Sequence, residues 1–121
     1  MEIYISHYGD KNIAVVTNNG ILLSDVQSAI DFMMTVQHKT GCNRIIINKS
    51  AISEDFFQLT TKLAGEILQK FMNYNVKLAI IGDFSVYSSK SLKDFICESN
   101  KGKDIFFLPA GKQAIAVLSS C

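Results

Sequence analysis

Asp83 is the residue of this chain best placed to do chemistry. It follows Gly82 at the end of the apolar run Val76 to Gly82, and Ser85, Ser88 and Ser89 come shortly after it. A carboxylate leaving a strand beside hydroxyls and a helix start can act as an acid or base, ligate a metal, or border an anion site built from backbone amides. The same residue types also end strands and cap helices in ordinary turns, and both readings stay open. The other candidates are weaker. Glu54 and Asp55 are adjacent, and neighbours on a helix point about 100° apart, so a first turn favoured by the helix dipole accounts for them. His7 is in phase with Ile3 and Ile5, and His38 falls in the last turn of a helix. Without a His-x-His or His-x-x-x-His spacing no metal site is expected. A Ser-His-Asp set would have to be assembled from distant segments, since no Gly-x-Ser-x-Gly elbow is present. Neither Gly-x-Gly-x-x-Gly nor Gly-x-x-x-x-Gly-Lys-Ser/Thr occurs, so no cofactor is expected.

The elements that must position Asp83 are legible from periodicity. Glu2 to Tyr8 and Lys11 to Thr17 alternate apolar and polar residues across Gly9-Asp10, the pattern of a β-hairpin with a primed turn. Ser24 with Gln27 reads as a capping box opening a first helix whose face is Val26, Ala29, Ile30 and Met33, and Gly41 stops it. Arg44 to Asn48 is a short buried strand. Ser53 reads as the cap of a second helix, with the stripe Leu63, Ala64, Ile67, Leu68, Phe71 and Met72. Gly65 inside that helix costs about 1 kcal/mol relative to Ala, so close packing is expected there. After the strand Val76 to Gly82, Ser88 or Ser89 caps a third helix carrying Leu92, Phe95 and Ile96, which Gly102 ends. Asp104 to Leu108 forms the last strand, and Ala114, Ile115 and Leu118 face a short terminal helix.

The order ββαβαβαβα predicts an α/β fold, because strands joined through helices run parallel with right-handed crossovers. Residues 1–121 are expected to form one domain, without linker, repeat or charge block. With 48% apolar and 19% charged residues the chain can bury a core, and its net charge of +1 recruits neither nucleic acid nor an anionic membrane. Arg44 is the only arginine, which weakens phosphate recognition further. No apolar run reaches the ~18 residues of a membrane span, and no secretory signal is visible. Cys42, Cys97 and Cys121 are odd in number and contain no Cys-x-x-Cys. They read as reduced thiols of a cytoplasmic protein.

The segments ILLSDVQSAIDFM, GCNRIIINKSAISEDFF and KLAIIGDFSVYSSKSLKDFICESNKGKDIFF resemble a bacterial family of domains of unknown function. The layout of Arg44 through Gly82, an apolar strand, a loop, an amphipathic helix and a second strand, also resembles the sulfate-transporter and anti-sigma-antagonist (STAS) domain. That resemblance implies a STAS-like sheet: an N-terminal hairpin followed by four strand–helix turns, five mixed but mainly parallel strands, and helices mainly on one face. Anti-sigma antagonists carry a phosphorylatable hydroxyl in an Asp-Ser-Ser/Thr-Gly motif at the start of the second helix. The matching stretch here is Leu59-Thr60-Thr61-Lys62-Leu63, which lacks the Asp and the Gly. Thr60 falls in phase with the core stripe, so Thr61 is the candidate acceptor.

Two functional classes follow. The first is a non-catalytic regulatory or protein-interaction module with an unidentified protein partner. The second is a small-ligand binder or small enzyme at the strand-end edge. Either would use Asp83, Phe84, Ser85, Tyr87, Ser88 and Ser89, a segment too apolar at Phe84, Val86 and Tyr87 for an idle loop. A homodimer is expected through the sheet face that the helices leave bare or through the hairpin, because the strands are aliphatic on both alternations.

Overall fold

The computed structural model describes residues 1–121. The hairpin forms as its alternation requires: β1 (Glu2–Tyr8) pairs antiparallel with β2 (Lys11–Thr17) in an unbroken register from Glu2↔Thr17 to Tyr8↔Lys11. Gly9 has φ 62 and Asp10 has negative φ, which makes the link a type II′ turn with glycine at its first central position. The chain then winds through α1 (Val26–Thr40), β3 (Arg44–Asn48), α2 (Leu63–Asn73), β4 (Lys77–Ile81), α3 (Lys90–Lys101), β5 (Ile105–Leu108) and α4 (Gly111–Ser119). Strand order in the sheet equals chain order, β1 to β5, and every pairing after the hairpin is parallel. This is the mixed five-stranded α/β sheet expected from the element order, advancing one strand with each helix.

Period-2 alternation decides what each face buries. Ala14, Val16, Ile45, Ile47, Leu78, Ile80 and Phe107 point to one side, where they meet Phe32 and Met33 of α1, Ile67 and Phe71 of α2, and Leu92 of α3. Ile13, Val15, Ile46, Ala79 and Phe106 point to the other, where Ala114 and Leu118 of α4 cover them. The fourth helix leaves no strand to return to, so nothing obliges it to stay on the crossover side; it runs across the bare face and touches all five strands. Arg44 anchors it: Nε donates to the Leu118 carbonyl at 2.9 Å and Nη2 to the Cys121 carbonyl at 2.7 Å. A cation there also suits the helix dipole. With α4 in place, the bare sheet face that motivated face-to-face association is not available.

Three local expectations need correction. The first helix is capped by Asp25, not Ser24: the Asp25 carboxylate accepts from the Ser28 amide at 2.7 Å, and the Ser28 hydroxyl accepts from the Asp25 amide at 3.0 Å. The second helix does not begin near Ser53. The Ser53 cap opens only the 3-10 turn Glu54–Phe57, one of three such turns with Lys49–Ala51 and Leu59–Thr61, and the Thr61 hydroxyl donates to the Asp55 and Gln58 carbonyls that a continuing helix would use. Helix α2 starts only after Lys62, which sits in the left-handed region at φ 64. Finally, a Cβ on Gly65 would meet nothing within 4 Å. No close packing requires this glycine; it lies beside Met72, which is exposed despite its place in the stripe.

Candidate functional site

The carboxyl ends of the parallel strands and the loops leaving them form one edge, where ligands of open α/β sheets bind. Neighbouring loops are stitched together there. The Asn48 side chain accepts from the Asn18 amide and donates to the Asn18 carbonyl, both at 3.0 Å, joining the ends of β2 and β3. The Leu22 and Leu23 amides donate to the Ala51 carbonyl, and the Ser53 amide to the Leu23 carbonyl.

Lys49 leaves β3 and crosses Gly82 at the end of β4. A Cβ at position 82 would lie 2.5 Å from Lys49 Cβ and 2.8 Å from its Cδ, so only glycine lets this stem pass. The side chain is 19% exposed, and its ammonium reaches Glu54 Oε1 at 3.5 Å. It also stands 4.9 Å from the Tyr87 ring centroid and 5.4 Å from that of Phe57, within cation–π range. Phe57 and Tyr87 stack at 5.2 Å, and the Tyr87 hydroxyl donates to Glu54 Oε2 at 2.9 Å. The Tyr87 phenol beside it, and after it Glu54, hold the Lys49 pKa above its ordinary 10.5 against the desolvation that would lower it. Burial raises the Tyr87 phenol above its ordinary 10.0. Near neutral pH both keep their protons.

Asp83 accepts from the Ser85 hydroxyl and, at 2.9 Å, from the Ser85 amide. These two bonds, hydroxyl first, hold its carboxyl below the ordinary 3.8, with Lys49 adding a smaller pull. An open concavity of about 470 Å³ lies beside it, lined among others by Ile21, Asn48, Lys49, Glu54 and Gly82.

The segment expected to act together does not act as one unit. Asp83 and Ser85 close a turn; Phe84 and Tyr87 pack on the core through Phe57 and Phe107. Ser89 caps α3 by accepting from the Leu92 amide at 3.2 Å, while Ser88 and Val86 are exposed. Lys90 is offset by Asp94, at 2.8 Å. Glu54, which periodicity alone marks only as a dipole-favoured acid, joins Tyr87 across 33 residues of chain and meets Lys49 beside it, and the only sequence trace of this cluster is Gly82. Thr60 is exposed, since no helical phase extends back to it from Leu63. Thr61 is also exposed, but its hydroxyl donates toward the Asp55 and Gln58 carbonyls and accepts from the Leu63 amide. Cys42 is buried and Cys97 exposed. No three His, Cys, Asp or Glu side chains converge on a point, and no helix is long and apolar enough to cross a membrane.

Fold and site together define a singly wound α/β protein whose strand-end polar groups are bonded to one another. Residues 8–118 match the family described as a domain of unknown function (DUF4180), and the chain belongs to that family. Comparison with curated proteins and with solved structures returns no match.

Proposed function

We propose that this protein is a non-catalytic interaction module that presents its strand-end edge to a protein partner. The observation that carries the reading is the closed polar network of that edge. Lys49, Glu54 and Tyr87 satisfy one another, and Asp83 is spent on Ser85. General acid–base work needs a group poised near the working pH, whereas Lys49, Tyr87 and Asp83 are each displaced away from neutrality. Ile21, 54% exposed, lines the concavity, and Val86, 66% exposed, follows on the loop after Asp83; apolar side chains on a pre-organised surface are what a protein contact uses. The element order supports, as part of this proposal, a STAS-like kinship. Three free cysteines suit a reducing, cytoplasmic setting.

The test compares wild type with Val86→Asp and Asp83→Ala in affinity capture from native cells, alongside melting curves of each. A partner recovered by wild type and lost with Val86→Asp, at unchanged melting temperature, supports the module. Recovery unaffected by either change removes the edge from consideration. The concavity favours the second reading, a small-ligand site. A metabolite that raises the melting temperature of wild type but not of Asp83→Ala would establish that reading instead.

A further inference from the structure

The two edges of the sheet are treated differently. Strand β5 is short, and the outward amide and carbonyl of Phe107 are both taken by the Asn100 side chain, at 2.7 and 3.0 Å. That is a plug against further strand pairing. Strand β1 has no such device: seven residues, no proline, no lysine and no bulge in its register. It also carries Tyr4 at 61%, Tyr8 at 57% and Ile5 at 37% exposure. From a two-residue turn, hydrogen-bonded pairs alternate with open ones. Tyr8, Ser6, Tyr4 and Glu2 therefore bond to β2, and the amides and carbonyls of Ile3, Ile5 and His7 face outward.

We infer that β1 is the interface of a two-fold homodimer, in which the β1 strands of two copies pair antiparallel about Ile5 and join two five-stranded sheets into one. This rests on the open edge alone and is independent of the role proposed for the strand-end surface. The register follows from self-complementarity. Only with Ile5 opposite the partner's Ile5, and Ile3 opposite the partner's His7, are all outward groups of both strands paired. On the crossover side this lines up Ile5 with the partner's Ile5. It also brings the partner's His7 to the mouth of a concavity of about 500 Å³ formed by Met1, Ile3, Tyr4, Ile5, Lys39 and Thr40. On the α4 side Tyr4 comes beside the partner's Ser6. Glu2, the one charged residue of β1, comes beside the partner's Tyr8, so no like charges meet. Tyr4 and Tyr8 each leave on the order of 100 Å² uncovered. Doubled by the two-fold and joined by Ile5, Met1 and the strand backbones, the area within reach is on the order of 1,000 Å², where specific interfaces begin.

Light scattering over roughly 1–100 µM, which brackets a micromolar Kd, should show twice the 13.4 kDa chain mass. Ile5→Lys sets two cations against each other on the dyad, and Ile5→Pro removes an outward amide that β2 does not use. Both should halve the mass while far-UV circular dichroism stays unchanged. In a Cys97→Ser background, Ile5→Cys places two thiols across a hydrogen-bonded pair, with Cα atoms ~5.5 Å apart and within disulfide reach. It should cross-link under mild oxidation, and Tyr4→Cys should not. A monomeric wild type, a dimer that survives both Ile5→Lys and Ile5→Pro, or cross-linking through position 4 in place of position 5 would overturn the inference.

Discussion

At the scale of single residues, this protein uses its carboxylates as structural acceptors. Asp25 is the clearest case: bonds from the Ser28 amide and then the Ser28 hydroxyl hold it below its ordinary 3.8, at a helix N-terminus that favours an anion. A carboxyl whose folded value is depressed contributes stability that is fully present above its unfolded value. That contribution is lost as the pH falls from 3.8 down through the lower folded value. Asn caps as well as Asp but does not titrate. Wild type should therefore melt above Asp25→Asn at pH 7, and the gap should close as the pH is lowered past 3.8. Melting curves of the two proteins across that range check the sign. A gap independent of pH would mean that the carboxylate charge contributes nothing.

At the scale of elements, two glycines separate tolerance from constraint. Gly82→Ala drives a methyl into the Lys49 stem, at 2.5 Å from a Cβ that cannot swing aside. Overpacking of this kind costs about 1–3 kcal/mol, and it would push the ammonium off Phe57 and Tyr87. Gly65→Ala meets open space and should gain about 0.5–1 kcal/mol by stiffening the unfolded chain in a helix that accepts alanine. Urea unfolding of the two variants should shift the midpoint in opposite directions. The attachment of α4 is a second element-scale matter. Arg44→Ala removes two charge-assisted bonds, to Leu118 and Cys121, and should cost about 1–3 kcal/mol. Arg44→Lys should not restore it, because one ammonium lacks the fork that reaches both carbonyls. Amide exchange should rise first in Gly111–Ser119, over the Ile46 and Phe106 face.

At the scale of the whole molecule, the asymmetry of the edges sets what assemblies can close. One open edge gives a two-fold dimer and stops; a second would allow growth. Asn100→Ala strips the Phe107 amide and carbonyl of their partner. Leaving such groups unmet should cost about 1–3 kcal/mol and free a second edge. The expected outcome is species larger than a dimer in light scattering, suppressed when Ile5→Lys is added. A stable Asn100→Ala protein of wild-type mass would show that α3 itself, without its asparagine, shields the edge.

What the sequence determined by itself was everything carried by short-range period. The hairpin at Gly9-Asp10, the aliphatic runs Ile45 to Ile47 and Leu78 to Ile81, the Leu63-to-Phe71 stripe and a serine cap at 88 or 89 each depend on residues within a few positions of one another; the structure chose Ser89. The element order then forces parallel strands. Tertiary structure decided what depends on contacts across long separations. Ala114 and Leu118 of α4 cover the Ile13, Val15, Ile46, Ala79 and Phe106 face, which exists only once the strands are assembled, and Arg44, 74 residues before Leu118, pins it there. The segment after Ser53 stays in 3-10 turns while Phe56 and Phe57 pack on Phe107, Phe84 and Tyr87, partners that lie far along the chain and that no local pattern announces. The strand-end cluster is of the same kind: Lys49, Glu54 and Tyr87 are unremarkable in their own segments. Only the parallel register Asn48↔Ile81 lays the lysine over Gly82 and brings its charge between an acid and two rings.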